Sequence, residues 1–468
     1  MYFSTLNKFN NFTKKLKMMI KTFTKSIFGL LIVGSMPTFA QQFQVAHDLS
    51  GDDYGNRVLV VGNNVQVAGA TSATGAGSYD LMMTGLNTDG SYGGGGQFGG
   101  TGLETARAIG GFPDGETVIG GASNSFAPFL NLDDAMILKI QSNGSPAFYT
   151  VLGTDSLDRV FEVKEGNDGS IIAAGQNGRS IGSNKSDGLV MKLDATTGAV
   201  IWSKTIGFQF SNEVIYDFLT IPGLGYAAVG YSGVNVVGLN DNLFFLLNED
   251  GTKSSCFVFG GPGDDDARSI VDGSLEGKIY VAGNSRNIGQ GAGDAFLARF
   301  DISNFPIIVM DWYKTYGASG DESLQRAIVD PVTGGILLVG STNSFGNATE
   351  AFGVFVDSDG AIVWSKTYGG AGNDYFQDAK PDGSGGFYCA GYSNSFGGVQ
   401  NNVWLVRVDA NGSSLCNENN AAFVSVTQPS NVAYADFSNA GLDGIVSTNV
   451  TLTARDASSF VFGENIPT

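Results

Sequence analysis

Hydrophobic residues in this chain gather in short runs rather than in helical stripes. Seven of those runs close on a glycine, at Gly69, Gly121, Gly175, Gly230, Gly283, Gly340 and Gly391, at intervals of 52, 54, 55, 53, 57 and 51 residues. Each interval predicts four strands. Strand A is a mixed stretch, as in residues 267–271 and 325–329. Strand B is the apolar run that ends on the glycine, as in 279–283 and 336–340. Strand C follows a polar loop, as in 189–193, 243–247 and 352–356. Turns such as Thr88-Asp89-Gly90, Glu249-Asp250-Gly251 and Asp359-Gly360 then fold a hairpin into strand D, because Gly and Asn tolerate positive φ. Strand D carries Trp202, Trp312 and Trp364.

A four-stranded unit repeated at a period near fifty predicts propeller blades, since shorter turns mark a solenoid and a sandwich does not repeat seven times. The fold class expected is all-β, a seven-bladed β-propeller of four-stranded blades. Its last repeat reaches Val408 and leaves only residues 413–416 as a short candidate D strand. At the other end, residues 43–49 align with strand D but precede the first strand A. They are predicted to become the outer strand of the seventh blade, closing the ring and removing an open edge. The domain reading is a signal peptide over 1–40, a propeller over 41–416 and a short C-terminal tail or partial module over 417–468. The tail fits no repeat, although 422–427 and 450–454 look extended.

Composition agrees with turns rather than disorder: 68 glycines and 11 prolines show no collagen-like period, and aromatic residues make up 11% of the chain. The formal charge is −19, and six lysines with no acids fall within residues 1–40. From Gln41 onward 20 bases face 45 acids, or −25, a surface that repels phosphate backbones and argues against a nucleic-acid partner. The first forty residues have the order of an export signal. Lys14, Lys15, Lys17, Lys21 and Lys25 precede the apolar run 27–33, and Pro37-Thr38-Phe39-Ala40 offers a small residue for cleavage. That run is far short of the ~20 residues a membrane helix needs, and no later segment is a candidate, so no integral membrane segment is expected after cleavage.

Candidate chemistry is sparse. His47 is the single histidine and sits in the closing strand, which leaves histidine zinc sites and Ser-His-Asp hydrolysis nothing to build on. Cys256, Cys389 and Cys416 are too few and too scattered for a disulfide framework and are read as small buried hydrophobes. Four acidic links stand out: Gly51-Asp52-Asp53, Gly263-Asp264-Asp265-Asp266, Gly320-Asp321-Glu322 and Gly372-Asn373-Asp374. Clustered carboxylates suit calcium, but none matches the twelve-residue EF-hand loop, so the reading preferred is a cap on the blade crossover. Arg57, Arg107, Arg159, Arg268 and Arg326 recur on strand A, which lines a propeller's channel. A ring of guanidinium groups there would take an anion. An acid lies three or four residues before each (Asp53, Glu104, Asp155, Asp265, Glu322), so an architectural interblade ion pair is preferred.

The motifs WSKTYGGAGNDYF, DGSGGFYCAGYSNSFG and VWLVRVDANG, in this order, resemble the secreted β-propeller repeat proteins of Bacteroidota over residues 42–416. The resemblance implies the fold and an exported protein, extracellular or at the cell surface. Many members carry a C-terminal sorting domain for type IX secretion; none is evident before Asn465-Ile466-Pro467-Thr468, which keeps the periplasm as an alternative. Residues 194–202 (DATTGAVIW) are similar to the blade motif of quinoprotein dehydrogenases, which implies blade geometry only.

Two functions follow. Near-equivalent blades with no distinguished catalytic set favour a non-catalytic binding, adhesion or scaffold module for carbohydrate or protein. The alternative is a carboxylate-based glycosidase or lyase, whose chemistry needs only two acids. Its signature would be acids in a loop that breaks the repeat, and residues 123–134 (SNSFAPFLNLDD) are the nearest candidate. No catalytic or metal-ligating residue is assigned, no cofactor is expected unless calcium occupies the acidic links, and the ligand-binding residues are left open.

Overall fold

The structure is a computed structural model that describes residues 42–468 apart from 74–76, 127–131, 180–184, 209–210, 235–237, 274–276, 305–306, 347, 428–431, 437–445, 450, 455–460 and 464–468. Contacts divide the chain into residues 1–41 and 42–468. The signal-peptide expectation falls on the first part and lies outside the described residues.

The chain from residue 42 is a seven-bladed β-propeller. Six blades are continuous A-B-C-D antiparallel sheets over residues 53–99, 104–153, 158–207, 213–260, 265–317 and 322–368. The seventh takes strands A to C from 374–408 and its outer strand from Phe43–His47, which pairs with Asn402–Val408 from Phe43↔Arg407 to His47↔Val403. The N-terminal strand therefore closes the ring. Residues 413–416 form no D strand; Ser414 instead accepts a hydrogen bond from the Gln44 amide at 2.9 Å.

Strands B and C read as nearly continuous apolar runs because both their faces are covered by neighbouring blades. Asp241–Leu247 and Asn402–Val408 are buried along their whole length. Apolar clusters fill the blade interfaces. One joins Ile172 and Val190 of blade 3 to Ile215, Phe218 and Leu243 of blade 4. Another joins Ala390 and Leu405 of blade 7 to Val58, Val67 and Met82 of blade 1, so the closure is packed as well as hydrogen-bonded.

The glycine that marks each repeat has a steric cause. A Cβ on Gly69, Gly121, Gly175, Gly230, Gly283, Gly340 or Gly391 would lie 1.6–2.0 Å from a carbonyl oxygen of the neighbouring strand A. Directly after that carbonyl, strand A bulges: one extra residue per blade leaves the A–B ladder, at Asn56, Arg107, Phe161, Tyr216, Arg268, Gln325 and Gln377. Aromatic residues of strand D meet a second set of glycines. Trp202, Trp312 and Trp364 lie against Gly251, Gly360 and Gly412, each in the turn that follows strand C of the next blade, at φ between 72° and 76°. These turns need glycine both for the left-handed backbone and for the ring that covers it.

The described strands beyond the last repeat lie along the outside of the ring. Glu418–Asn420, Val424–Thr427, Ala433–Asp436, Val446–Asn449, Thr453–Ala454 and Val461–Gly463 pair antiparallel with the D strands of blades 6, 5, 4, 3, 2 and 1 in turn. Each adds a fifth strand, so a single belt covers six outer edges that would otherwise offer free N–H and C=O groups. Its start is fixed by a Lys366–Glu418 ion pair at 2.7 Å and by Ala421 and Phe423, which enter the cluster between blades 5 and 6.

Loss of the belt should leave the blades intact but less stable. A chain ending at Asn417 is expected to melt about 5 °C or more lower, the shift of a few kcal/mol in a domain this size. It should also scatter light on heating as its edges pair; thermal melts with scattering detection check both, and an unchanged Tm would refute a stabilising belt.

Candidate functional site

The acids of the blade crossovers are occupied. Asp53, Glu104, Asp158, Glu213, Asp265, Glu322 and Asp374 open the seven A strands and are buried. Each accepts a backbone N–H from four or five residues upstream, at 2.7–3.1 Å, from Leu49, Gly100, Thr154, Phe208, Gly261, Ala318 and Gly370. Each also accepts a side-chain hydrogen bond from the end of strand B, from Thr71, Ser123, Asn177, Ser232, Ser285, Thr342 and Ser393. The carboxylate thus ties the incoming crossover to the A–B pair, which is the capping role expected of Asp53, Asp265, Glu322 and Asp374. Only some of this set stood out in the sequence, because Glu104, Asp158 and Glu213 lack the Gly-Asp or Gly-Asn pair that precedes the other four. Burial pushes Asp53, Asp158 and Asp265 up to about 6 despite these donors.

The five arginines correct the sequence expectation, for they are not equivalent. Counted from the crossover acid, Arg159 is one residue on, Arg107 and Arg268 are the bulged residues, and Arg57 and Arg326 follow the bulge. Nor do they pair with the acids before them, which are held as described; Asp155 is exposed.

Arg326 builds the floor of the channel. Its guanidinium contacts Glu162 of blade 3, Asp217 of blade 4 at 2.8 Å and Asp378 of blade 7 at 3.7 Å. Ser269 of blade 5 and the Ile270 N–H donate to Asp217, and the Val58 N–H of blade 1 donates to Asp378 at 3.0 Å. One buried cation therefore links six blades across the axis. Burial alone would raise both aspartates. Lys164 and Arg326 outweigh it and hold Asp217 at about 2, and Lys380, Arg326 and Arg57 lower Asp378.

Beside this floor the seven bulged side chains converge on one cavity of about 340 Å3, joined by Arg57, Arg159 and Gln176. No carboxylate lines it. Arg159 is paired with Asp133 of the preceding blade at 2.5 Å, an interblade pair as Arg326 also makes, and Arg268 with Asp266 of its own strand. Arg268 lies 4.4 Å over the Tyr216 ring and Arg107 lies 5.6 Å over Phe161. Burial lowers Arg57 to about 10, helped by Arg326, and lowers Arg107, helped by Arg159.

A second cavity, of about 350 Å3, lies between blades 4 and 6 and is acidic, with Asp264, Asp265, Asp266, Asp321 and Glu322 beside Arg268 and Arg286. The loop 123–134 supplies no isolated acid pair to either cavity. Ser123 donates to Glu104, Asp133 is tied to Arg159, and 127–131 lie outside the described residues. His47 is packed against Tyr92 at 5.7 Å, and burial lowers its pKa. Cys256 and Cys389 are buried as expected, whereas Cys416 is exposed, in a segment that forms no strand. In 194–202 the Asp194 carboxylate accepts the N–H groups of Thr196 and Thr197, so the segment is a C–D turn running into the start of strand D at Val200.

No protein-family model matches the chain, and no curated protein matches it. Among solved structures it is similar to the polysaccharide lyase Uly1, at 10% identity over 81% of this chain and 94% of that one, with a TM-score of 0.44. It is also similar to a glucose dehydrogenase, at 10% identity over 77% of this chain and 99% of that one, with a TM-score of 0.34. Likenesses this distant carry no chemistry across.

Replacing Arg326 leaves three carboxylates buried without their shared cation. Arg326→Met is expected to cost about 3–5 kcal/mol in urea unfolding, and a loss below about 1 kcal/mol would refute the floor as a linchpin. The crossover acids predict a pH slope. Asp53, Asp158 and Asp265 hold protons up to about pH 6 when folded, against the ordinary 3.8 for an aspartate when unfolded. Between these values the folded state binds more protons, so stability falls as pH rises, by about 1 kcal/mol per pH unit for each such group. The unfolding midpoint should be higher at pH 5 than at pH 7.5, with a shallower slope in Asp265→Asn.

Proposed function

We propose that this is an exported, non-catalytic β-propeller, a binding or scaffold module that takes a carbohydrate or protein ligand at the mouth of its central channel. The observation that carries the reading is the cavity of bulged residues. Its walls offer guanidinium, amide and phenol groups from all seven blades, and no side chain lining it is a carboxylate, imidazole or thiol able to relay a proton or attack a substrate. Such a wall suits recognition; Tyr216 is its one group of a kind used in acid–base catalysis, and burial raises its pKa to about 12.

The acidic cavity favours a second reading, a carboxylate-based glycosidase or lyase, since Asp265 there is raised into the range of a general acid. The same raised acid stands in blades 1 and 3 with the same donors, so its environment follows from the blade rather than from a reaction. Calcium in the acidic links remains a separate proposal, tested in the same experiment.

Residues 41–468 should be incubated with a panel of polysaccharides, in calcium and in chelator, while protein depletion and reducing ends are both followed. Depletion without new reducing ends is the expected result. Product release would sink the non-catalytic reading, and retention lost in chelator would establish the calcium sites.

A further inference from the structure

The cavity at the channel mouth is lined by four arginines and by no carboxylate. Of its four arginines, two have carboxylate partners, in Asp133 and Asp266. Arg57 donates only to backbone oxygens, of Asn56 at 2.9 Å and of Phe161 at 3.4 Å. Arg107 faces the Phe161 ring. The Nε groups of both are buried and have no hydrogen-bond partner. Two half-buried guanidinium groups without an ion pair among the described residues thus line one cavity in a chain whose formal charge is −19. Arg326 repels Arg57 and Arg159 repels Arg107, both are partly desolvated, and a multi-oxygen anion relieves both costs at once. The other polar groups on the wall, Asn56, Gln176, Gln325, Gln377 and Tyr216, are neutral donors and acceptors of the kind that meet hydroxyl groups.

We infer that this cavity is a receptor for an acidic sugar, in which Arg57 and Arg107 grip a carboxylate, sulfate or phosphate group and the amides and Tyr216 take the hydroxyls. The inference rests on the binding-module reading and names the ligand class of its site. A volume of about 340 Å3 admits one such sugar unit, free or projecting from a polymer. Arg326 is excluded from the grip, because its three carboxylates already occupy it.

Isothermal titration of residues 41–468 with glucuronate, glucose 6-phosphate, glucose and inorganic sulfate tests this. One equivalent of glucuronate or glucose 6-phosphate should bind, with glucose at least tenfold weaker; which of the two binds tells a carboxylate ligand from a tetrahedral one. Arg107→Gln and Arg57→Gln should each weaken binding tenfold or more with little change in melting temperature, since neither side chain has an ion pair to lose. Arg299→Gln, at an ion pair with Asp311 outside the channel, should bind as the parent does. Equal binding of glucose, binding of sulfate but of neither acidic sugar, or unchanged affinity in both variants would overturn the inference. Retention on polysaccharide with no acidic-sugar binding would remove this site and leave the module reading standing. Acidic-sugar binding accompanied by bond cleavage would keep the site and remove the non-catalytic reading.

Discussion

The contact on which this architecture turns is the approach of a strand A carbonyl to a strand B glycine. With any side chain at Gly230, a carbon would lie 1.7 Å from the Val214 oxygen, and the ladder could not form as it does. That approach leads directly into the bulge, where one residue per blade leaves the A–B ladder. In a ring, seven such residues share one level around the axis. The glycine is thus a local steric necessity whose remote consequence is a wall of seven side chains at the channel mouth.

Burying charge near the axis then demands compensation, and the molecule supplies it in two ways. At the crossovers each carboxylate is met by a backbone N–H of the incoming link and a side-chain donor of its own strand B, so the same clamp recurs in every blade. At the floor the compensation is shared: Arg326 serves acids from three other blades, and no single blade would be satisfied alone. Ring closure through Phe43–His47 brings blade 7, and with it Asp378, to this network. The outer belt solves the opposite problem at the rim, where exposed edges rather than buried charge are the liability.

The repeat, its strand order, the closing strand and the capping acids were legible because each leaves a local mark: a glycine at fixed spacing, a turn, a carboxylate after a small residue. The belt was not, since strands of two to four residues that pair with an edge need no alternating pattern of their own. The arginines were visible as residues but not as a site. Their spacing from the nearest acid differs by one to three positions between blades, and the bulge turns that small offset into different depths in the channel. Arg159 and Arg268 find carboxylates, Arg326 finds three, and Arg57 and Arg107 find none, an outcome fixed by the ring rather than by neighbours in sequence.

The distribution of variation separates framework from function. At the crossover position every blade has Asp or Glu, as a hydrogen-bonded clamp requires. At the bulge, a slot of the same backbone geometry holds Asn, Arg, Phe, Tyr, Arg, Gln and Gln. If the fold needed a particular side chain there, seven equivalent slots would agree as the clamps do. They differ, yet every one is large and five are amides or guanidinium groups, which excludes mere filling by apolar bulk. A wall that is uniform in backbone and diverse in hydrogen-bonding side chains is an asymmetric surface on a symmetric frame, which is what the proposed recognition role requires.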